Sequence, residues 1–386
     1  MNIDNRPLVS IIITSFNHEK YLDDCIQSVL NQTYNNLEII IIDNKSTDNS
    51  KDIISDYSQK NERIKFYPQD QNIYPSGSMN LGINLCKGEY ISLFSGDDYC
   101  SLDKIEIQIN YMLTHNIKNL FSWVNVVDDN NTILYEHPFN DVFNKAFNND
   151  DLELFLLTHG NTLCAGSVLL HKSIFEKYGN FDNRFLQLQD YEMWLRMISN
   201  EKLNVLNKKL FNYRVRNDNK NLSLNNENNS AFLRTCFENT QIIKQILNIK
   251  NDFLSKLINK SCDDVSKYKN LFEFYIKEGK QEFASGILLV MFKELNKNSE
   301  PFNLKLYNEF FNMYSHFDLT NSYTIIQVQE KEQQLQEKEV CIQNLNSEIV
   351  HLHNVAQSMR IKNRIKNIVK LFIPQKIWKI LKYVKK

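Results

Sequence analysis

The chain's 386 residues exceed what one compact core usually organises, so two domains, or one domain with a sizeable appendage, are expected. Hydrophobic residues at 42%, charged residues at 24%, and only 9 Gly and 6 Pro exclude global disorder, collagen-like sequence and flexible-linker character. A formal net charge of -1 gives a polyanion no global attraction, so nucleic acid is not an expected partner.

Residues 1 to 216 alternate short apolar runs with amphipathic stretches, the pattern of an α/β domain whose mostly parallel sheet is covered on both faces. Leu8 to Ile13, apolar except for Ser10, predicts a buried strand, and Glu19 to Leu30 places Leu22, Ile26, Val29 and Leu30 at helical spacing. A second buried strand, Leu37 to Ile42 with only Glu38 polar, ends in Asp43 to Asp48, where Ser46 or Thr47 can cap the next helix. A strand over Arg63 to Tyr67, a helix over Ser76 to Cys86 and a strand over Glu89 to Phe94 complete a βαβαβαβ chain. After a polar linker from Asn217 to Asn229, residues 217 to 322 predict packed helices. Phe232, Cys236, Ile242, Ile243 and Leu247, then Leu288 to Phe292 and Leu304 to Phe311, supply their apolar faces.

Residues 323 to 358 predict a short coiled coil, since Val328, Leu335, Ile342, Ile349 and Ala356 recur every seven residues with Leu345 and Leu352 at the companion seam position. Self-association of the chain is the expected consequence. Residues 359 to 386 form a basic amphipathic tail: Arg360 to Lys386 holds ten Lys or Arg and no acid, with Trp378 and Tyr383 among aliphatic residues at helical spacing. That composition suits a helix lying in the plane of an anionic membrane, or a soluble helix packed on acidic parts of its own chain, since basic amphipathic helices also bind protein surfaces. The 7 cysteines lack zinc-site spacing and fit a reducing compartment, MNIDNRPLVS does not read as a secretory signal, and no apolar run is long enough for a membrane span. A cytoplasmic protein, peripheral on the inner face of the cell membrane, is the expectation.

In parallel α/β sheets ligands sit at the carboxyl ends of strands, which puts three polar clusters in first place. They are Thr14-Ser15-Phe16-Asn17, Asp43-Asn44 and Ser95-Gly96-Asp97-Asp98. Adjacent carboxylates in a glycine-bearing turn suit a divalent cation shared with phosphate oxygens, although an isolated Asp-Asp could equally cap the helix starting near Ser101. There is no GxGxxG after the first strand and no GxxxxGK[ST], which disfavours a nicotinamide enzyme or an ATPase.

Together the segments PLVSIIITSFNHEKYLDDCIQSVLNQTYNNLEIIIIDNKSTDNS, GEYISLFSGDDY and GNFDNRFLQLQDYEMWLRM resemble the inverting family 2 glycosyltransferases of the GT-A fold, over about residues 7 to 216. The resemblance implies a bacterial surface-polysaccharide enzyme that moves a hexosyl or hexosaminyl group, with inversion, from a nucleotide-sugar donor, a UDP-sugar by preference, to a glycan acceptor; the basic tail alone points to a lipid-linked one. It implies that Thr14 and Phe16 hold the nucleotide, that Asp43 and Asn44 read the base, and that Asp97 and Asp98 end the acidic motif. Asp97 would carry a Mg²⁺ or Mn²⁺ bridging the diphosphate, and Asp190 would serve as catalytic base.

Three positions depart from the family pattern: Asn44 is an amide, Ser95 stands where the acidic motif often begins with an acid, and Met79 stands where many relatives carry Arg. Ser95 and Met79 leave open a scaffold that binds nucleotide sugars without turnover and acts through its coiled coil, against which the retained Asp97, Asp98 and Asp190 argue. Other residues have plainer readings. Trp194, Leu195 and Met197 predict a buried helix face, Arg196 an internal ion pair or a phosphate contact, His159 and His171 satisfied histidines, and Asp182 a turn or an acceptor contact.

Overall fold

The computed structural model describes residues 6–148, 151–217, 221, 230–263, 266–280, 283–284, 286–288 and 290–291. The chain divides into two compact units, Met1–Phe317 and Asp318–Lys386, and every described residue belongs to the first. The coiled coil expected over 323–358, the basic tail over 359–386, the helix over 304–311 and nearly all of the linker lie outside the described residues.

The expected βαβαβαβ half consists of β1 (Val9–Ser15), α1 (Leu22–Leu30), β2 (Leu37–Asp43), α2 (Ser50–Lys60), β3 (Ile64–Pro68), α3 (Tyr74–Leu85) and β4 (Tyr90–Ser95). There follow β5 (Tyr99–Cys100), α4 (Lys104–His115), β6 (Asn119–Val127), α5 (Phe139–Phe143), α6 (Asp151–His159), β7 (Leu169–His171), α7 (Ser173–Tyr178), α8 (Gln189–Met197) and β8 (Val205–Arg214). Beyond residue 216 come α9 (Ser230–Leu247), α10 (Asn251–Ile258) and α11 (Ser266–Lys277). No helix among the described residues is long and apolar enough to cross a membrane.

One eight-stranded sheet runs in the order β3-β2-β1-β4-β7-β6-β8-β5. The β3-β2-β1-β4 portion is parallel, as expected, and so is the β6-β8 pair. Two strands depart from the parallel pattern: β7 runs antiparallel to β4 and β6, and β5 antiparallel to β8. Only the turn 96–98 separates β4 from β5, too short for the crossover a parallel neighbour needs, so β5 pairs at the far edge instead.

Both β1 and β2 are buried along their whole length, the consequence of their unbroken apolar runs. Their two polar interruptions, Ser10 and Glu38, are register partners, and the Ser10 hydroxyl donates to Glu38 Oε1 at 2.6 Å. Lys65 Nζ donates to the other oxygen at 3.0 Å. On one face Ile11 and Ile13 pack with Leu22, Ile26 and Val29 of α1 and Ile105, Ile109 and Met112 of α4. On the other, α3 approaches so closely that a Cβ on Gly82 would lie 2.4 Å from Ile12 Cγ2.

Two expected helix starts move. Residues 19 to 21 precede α1 rather than opening it, because the His18 and Glu19 amides donate to Ser50 Oγ at 2.9 Å and Asp48 Oδ2 at 3.1 Å. Neither Ser46 nor Thr47 caps α2, which begins after Asn49; Ser46 Oγ instead accepts the Asn17 amide at 2.9 Å. The loops after β1 and β2 are thereby laced together.

The chain winds from β1 outward through β2 and β3, then returns to place β4 on the other side of β1. The carboxyl ends of β2, β1 and β4 lie side by side at this reversal, with Ser15 opposite Asp43 and Thr14 opposite Ser95. Of the helices beyond residue 216, α9 packs on α8 and α10 on α6.

Candidate active site

At the strand reversal Thr14 is nearly buried and donates to the Phe94 carbonyl at 3.4 Å, whereas the Phe16 ring is 41% exposed. Asn17, at φ 57° in the left-handed region, accepts the Thr47 amide on Oδ1 at 2.8 Å and so shapes the turn that presents Phe16. Asp43 is buried, with Oδ2 accepting the Ser46 amide at 3.0 Å and Oδ1 lacking any hydrogen-bond partner. Asn44 is bonded at both ends of its amide, donating to Asn72 Oδ1 and accepting the Ile73 amide, each at 2.7 Å. It thus holds the segment entering α3, and of the Asp43-Asn44 pair only Asp43 keeps a side-chain oxygen without a bond.

The Asp97-Asp98 turn does not cap the next helix, because α4 starts later, with Asp103 at its N-cap position. Both carboxylates are buried, and two arginines at the end of β8 organise them. The Arg214 amide donates to Asp98 Oδ1 at 2.8 Å. Its fully buried guanidinium donates to the carbonyls of Asp97 and Asp128, each at 2.7 Å, to Asn131 Oδ1 at 2.7 Å and to Asp24 Oδ2 at 3.2 Å. Arg216 Nη1 and His18 Nε2 each stand 3.7 Å from Asp97 Oδ2. A Cβ at Gly96 would meet His18 Nδ1 at 2.9 Å, so any larger residue there would displace the His18 ring.

Burial works to raise the Asp97 carboxyl, but His18, the Ser95 hydroxyl and Arg216 outweigh it and hold it below the ordinary carboxylate range. For Asp98, burial and then the charge of Asp97 push the carboxyl well above that range. No group of three or more His, Cys, Asp or Glu side chains among the described residues could hold a metal ion without help.

Asp190 sits in the first turn of α8, partly exposed. Its Oδ1 accepts the Tyr191 amide at 2.7 Å and its Oδ2 the Asn161 side-chain amide at 2.9 Å. Asn161 is itself oriented by the Leu163 amide, which donates to Oδ1 at 3.0 Å. Burial pushes the Asp190 carboxyl up to about 6 against the lowering effect of these donors, and the Glu238 charge adds to the rise. Burial also pushes the Cys164 thiol up, and the charges of Asp98 and then Asp190 raise it further, so this buried thiol lies within electrostatic reach of both carboxylates.

The plainer readings hold nearby. Trp194, Leu195 and Met197 are buried. Arg196 pairs with Glu192 at 2.8 Å and donates to the carbonyls of Tyr178 and Asn180. His159 stacks on Phe155, His171 bonds Ser173, and Asp182 accepts from the Arg184 amide and side chain. A separate cavity of about 540 Å³, lined by Trp123, Tyr135, Asn140, Asp141, Asn144, Lys145 and Lys209, shares no residue with the carboxylate turn.

Arg214, Arg216, His18, Asn161 and Glu238 were not singled out in the sequence. His18 and the arginines do carry a signal, the first lying inside the strand-end loop and the others forming Arg-x-Arg directly after a strand. Asn161 and Glu238 carry none, since an amide and an acid in polar surroundings look like solvated surface.

Residues 10–179 match the model of the Glycosyl transferase family 2. An uncharacterized glycosyltransferase of Methanocaldococcus jannaschii is 31% identical over 223 residues, which are 57% of this chain and 74% of that protein. The chain belongs to glycosyltransferase family 2. It is also similar, at 26% identity over 52% of this chain and 73% of the other, to the Escherichia coli UDP-Glc:alpha-D-GlcNAc-diphosphoundecaprenol beta-1,3-glucosyltransferase. Among solved structures, residues 1–349 of S. aureus TarS in complex with UDP-GlcNAc align with a TM-score of 0.50 at 15% identity, covering 73% of this chain and 79% of that one. At that identity the likeness concerns the fold, which is of the GT-A type.

Arg214 should be irreplaceable even by lysine. A single ammonium cannot reach the two carbonyls, the amide and the carboxylate that the guanidinium fork spans, and each buried acceptor left unpaired costs about 1–3 kcal/mol. Arg214→Lys is therefore expected to lower the unfolding free energy by about 2 kcal/mol or more in urea denaturation. An unchanged midpoint would contradict this wiring.

Proposed function

We propose that this family member transfers a hexosyl or hexosaminyl group, with inversion, from a UDP-sugar to a hydroxyl of a growing cell-surface glycan carried on a lipid. The observation that carries the proposal is Asp190, whose carboxylate is held by the Asn161 side-chain amide at 2.9 Å and raised by burial to about 6. The UDP donor and lipid-diphosphate acceptor draw support from the name of the Escherichia coli relative.

In this reading Thr14 and the exposed face of Phe16 line the nucleotide site, and Asp43 offers its unpartnered Oδ1 to an N–H of the base. Asn44 contributes by holding residues 72 and 73 behind Asp43. The two buried carboxylates at 97 and 98 are hard oxygen donors too few to cage a cation unaided, which fits an ion completed by diphosphate oxygens and water. Asp97, with Asp98 beside it, would hold Mg²⁺ or Mn²⁺, whose contribution when bound is to neutralise charge on the departing diphosphate. Asp190 takes the proton of the acceptor hydroxyl as that oxygen bonds to the anomeric carbon and the bond from that carbon to the diphosphate breaks. With one base and no nucleophile nominated on the opposite face, a single displacement inverts the sugar.

The basic tail over 359–386 extends the proposal to place: it would dock the enzyme on the anionic inner face of the cell membrane, confining it to the plane of a lipid-linked acceptor. Removing Arg360 to Lys386 is expected to abolish cosedimentation with vesicles containing anionic phospholipid while sparing donor hydrolysis. Equal sedimentation with and without the tail would discard the anchor.

The base is tested by Asp190→Asn, expected to slow release of nucleoside diphosphate by at least about a hundredfold, the scale of a lost general base, with donor affinity nearly intact. Because the working form is the ionised one and its pKa is raised to about 6, the wild-type rate should fall as pH drops through about 6 and level off above it. Turnover of Asp190→Asn within a few-fold of wild type, or a flat profile from mildly acid to neutral pH, would remove Asp190 from the reaction.

A further inference from the structure

Glu238 on α9 makes its main bonds outside the helices that follow residue 216. Only 5% exposed, it reaches back to the segment that enters α8. Oε1 accepts the Leu186 amide at 2.8 Å and the Gln187 amide at 3.3 Å, and Oε2 accepts Gln187 at 3.1 Å and Leu188 at 2.7 Å. Three successive backbone N–H groups turned toward one point form an anion-binding concavity, and here the anion is a side chain of the same chain. Neighbouring bonds seat it: Gln187 donates to Thr235 Oγ1 at 2.7 Å, and Arg234 Nε donates to Gln187 Oε1 at 3.2 Å.

The first half of the same connection is gripped from the opposite side by α3. Ser76 donates to the Phe185 carbonyl at 2.9 Å, and Asn80 bonds both the carbonyl and the amide of Phe181. Leu188, the N-cap residue of α8, supplies no side-chain cap, and Glu238 of α9 adds its charge to those of Asp190 and Glu192 in the helix's own first turn. Asp190 lies two residues further on.

We infer that Glu238 is a positioning residue for the reaction, fixing residues 186–188 and through them the place of the Asp190 carboxylate. This rests on the reading of Asp190 as base. Of the side chains that shift the Asp190 carboxyl, Glu238 from α9 carries charge and raises it, while Asn161 and the Tyr191 amide are neutral donors that lower it; Cys164, before β7, feels the Asp190 charge in turn. Burial raises the Cys164 thiol, which stays neutral through the relevant pH range, so Glu238 is the charge whose removal moves the acid limb.

The test uses the full chain with UDP-glucose and UDP-GlcNAc as donor probes, in Glu238→Ala, Glu238→Gln and Asp190→Asn. Glu238→Ala should lower kcat at least about tenfold with donor KM within twofold, and should speed hydrogen–deuterium exchange of amides 186–191 at least about tenfold. Glu238→Gln keeps an acceptor oxygen and loses the charge, so it should recover part of kcat while its acid limb moves to lower pH. A kcat for Glu238→Ala within twofold of wild type overturns the role. So does a Glu238→Gln acid limb that stays in place, which remains readable if the alanine variant fails to fold. Asp190→Asn separates the two failures: full turnover there sinks the base and this role with it, whereas loss there beside full turnover in Glu238→Ala sinks Glu238 alone.

Discussion

Two adjacent carboxylates withdrawn from water at the end of a buried strand cannot stand uncompensated, since burying a charge without partners costs several kcal/mol. The chain answers with Arg214, whose amide and guanidinium bind the Asp97-Asp98 turn and carry the constraint outward to Asp24, Asp128 and Asn131. His18 and Arg216 stand farther off, at 3.7 Å, and hold Asp97 ionised. The loop after β1 joins this compensation through His18, and the lacing of 17–19 to 46–50 brings in the loop after β2. The site is therefore a property of the sheet's edge as a whole and not of one motif.

The groups proposed to bind the donor and to take the proton are divided between two supports. The carboxyl ends of β1, β2 and β4 and the turns directly after them carry the residues proposed for nucleotide and cation, and these strands are buried along nearly their whole length. The assigned base stands on α8, whose entry is held by α3 on one side and α9 on the other. A carboxyl raised to about 6 is mostly ionised at neutral pH yet basic enough to take a proton from a hydroxyl as it reacts. The departures at Ser95 and Asn44 take on structural meaning: Ser95 bonds the Asp97 carboxylate, and Asn44 braces the segment ahead of α3.

Much of this was legible before any geometry. The unbroken aliphatic runs of β1 and β2, and the polar residues immediately after them, locate the edge of the sheet because a fully buried parallel strand leaves no other place for chemistry. Asp97 and Asp98 stand out as adjacent acids just after an apolar strand, whereas Asp190 is singled out only by the family resemblance of the segment around it. What stays hidden depends on distant pairings: Arg214 meets Asp24 across 190 positions, and Glu238 meets Leu188 across 50. No local pattern encodes such contacts. The antiparallel β7 and β5 escape for a related reason, being too short to announce a direction, and the cap of α2 shifts because Ser46 serves the neighbouring loop.

Diffraction from crystals soaked with UDP and Mn²⁺, with the metal located by its anomalous scattering, tests the account most directly. The predicted result is a single strong peak within coordination distance of Asp97, about 2.0–2.2 Å, bridging to the diphosphate, with the base stacked on Phe16 and within hydrogen-bond reach of Asp43. UDP bound elsewhere, or bound at this edge with no metal at Asp97, would contradict it.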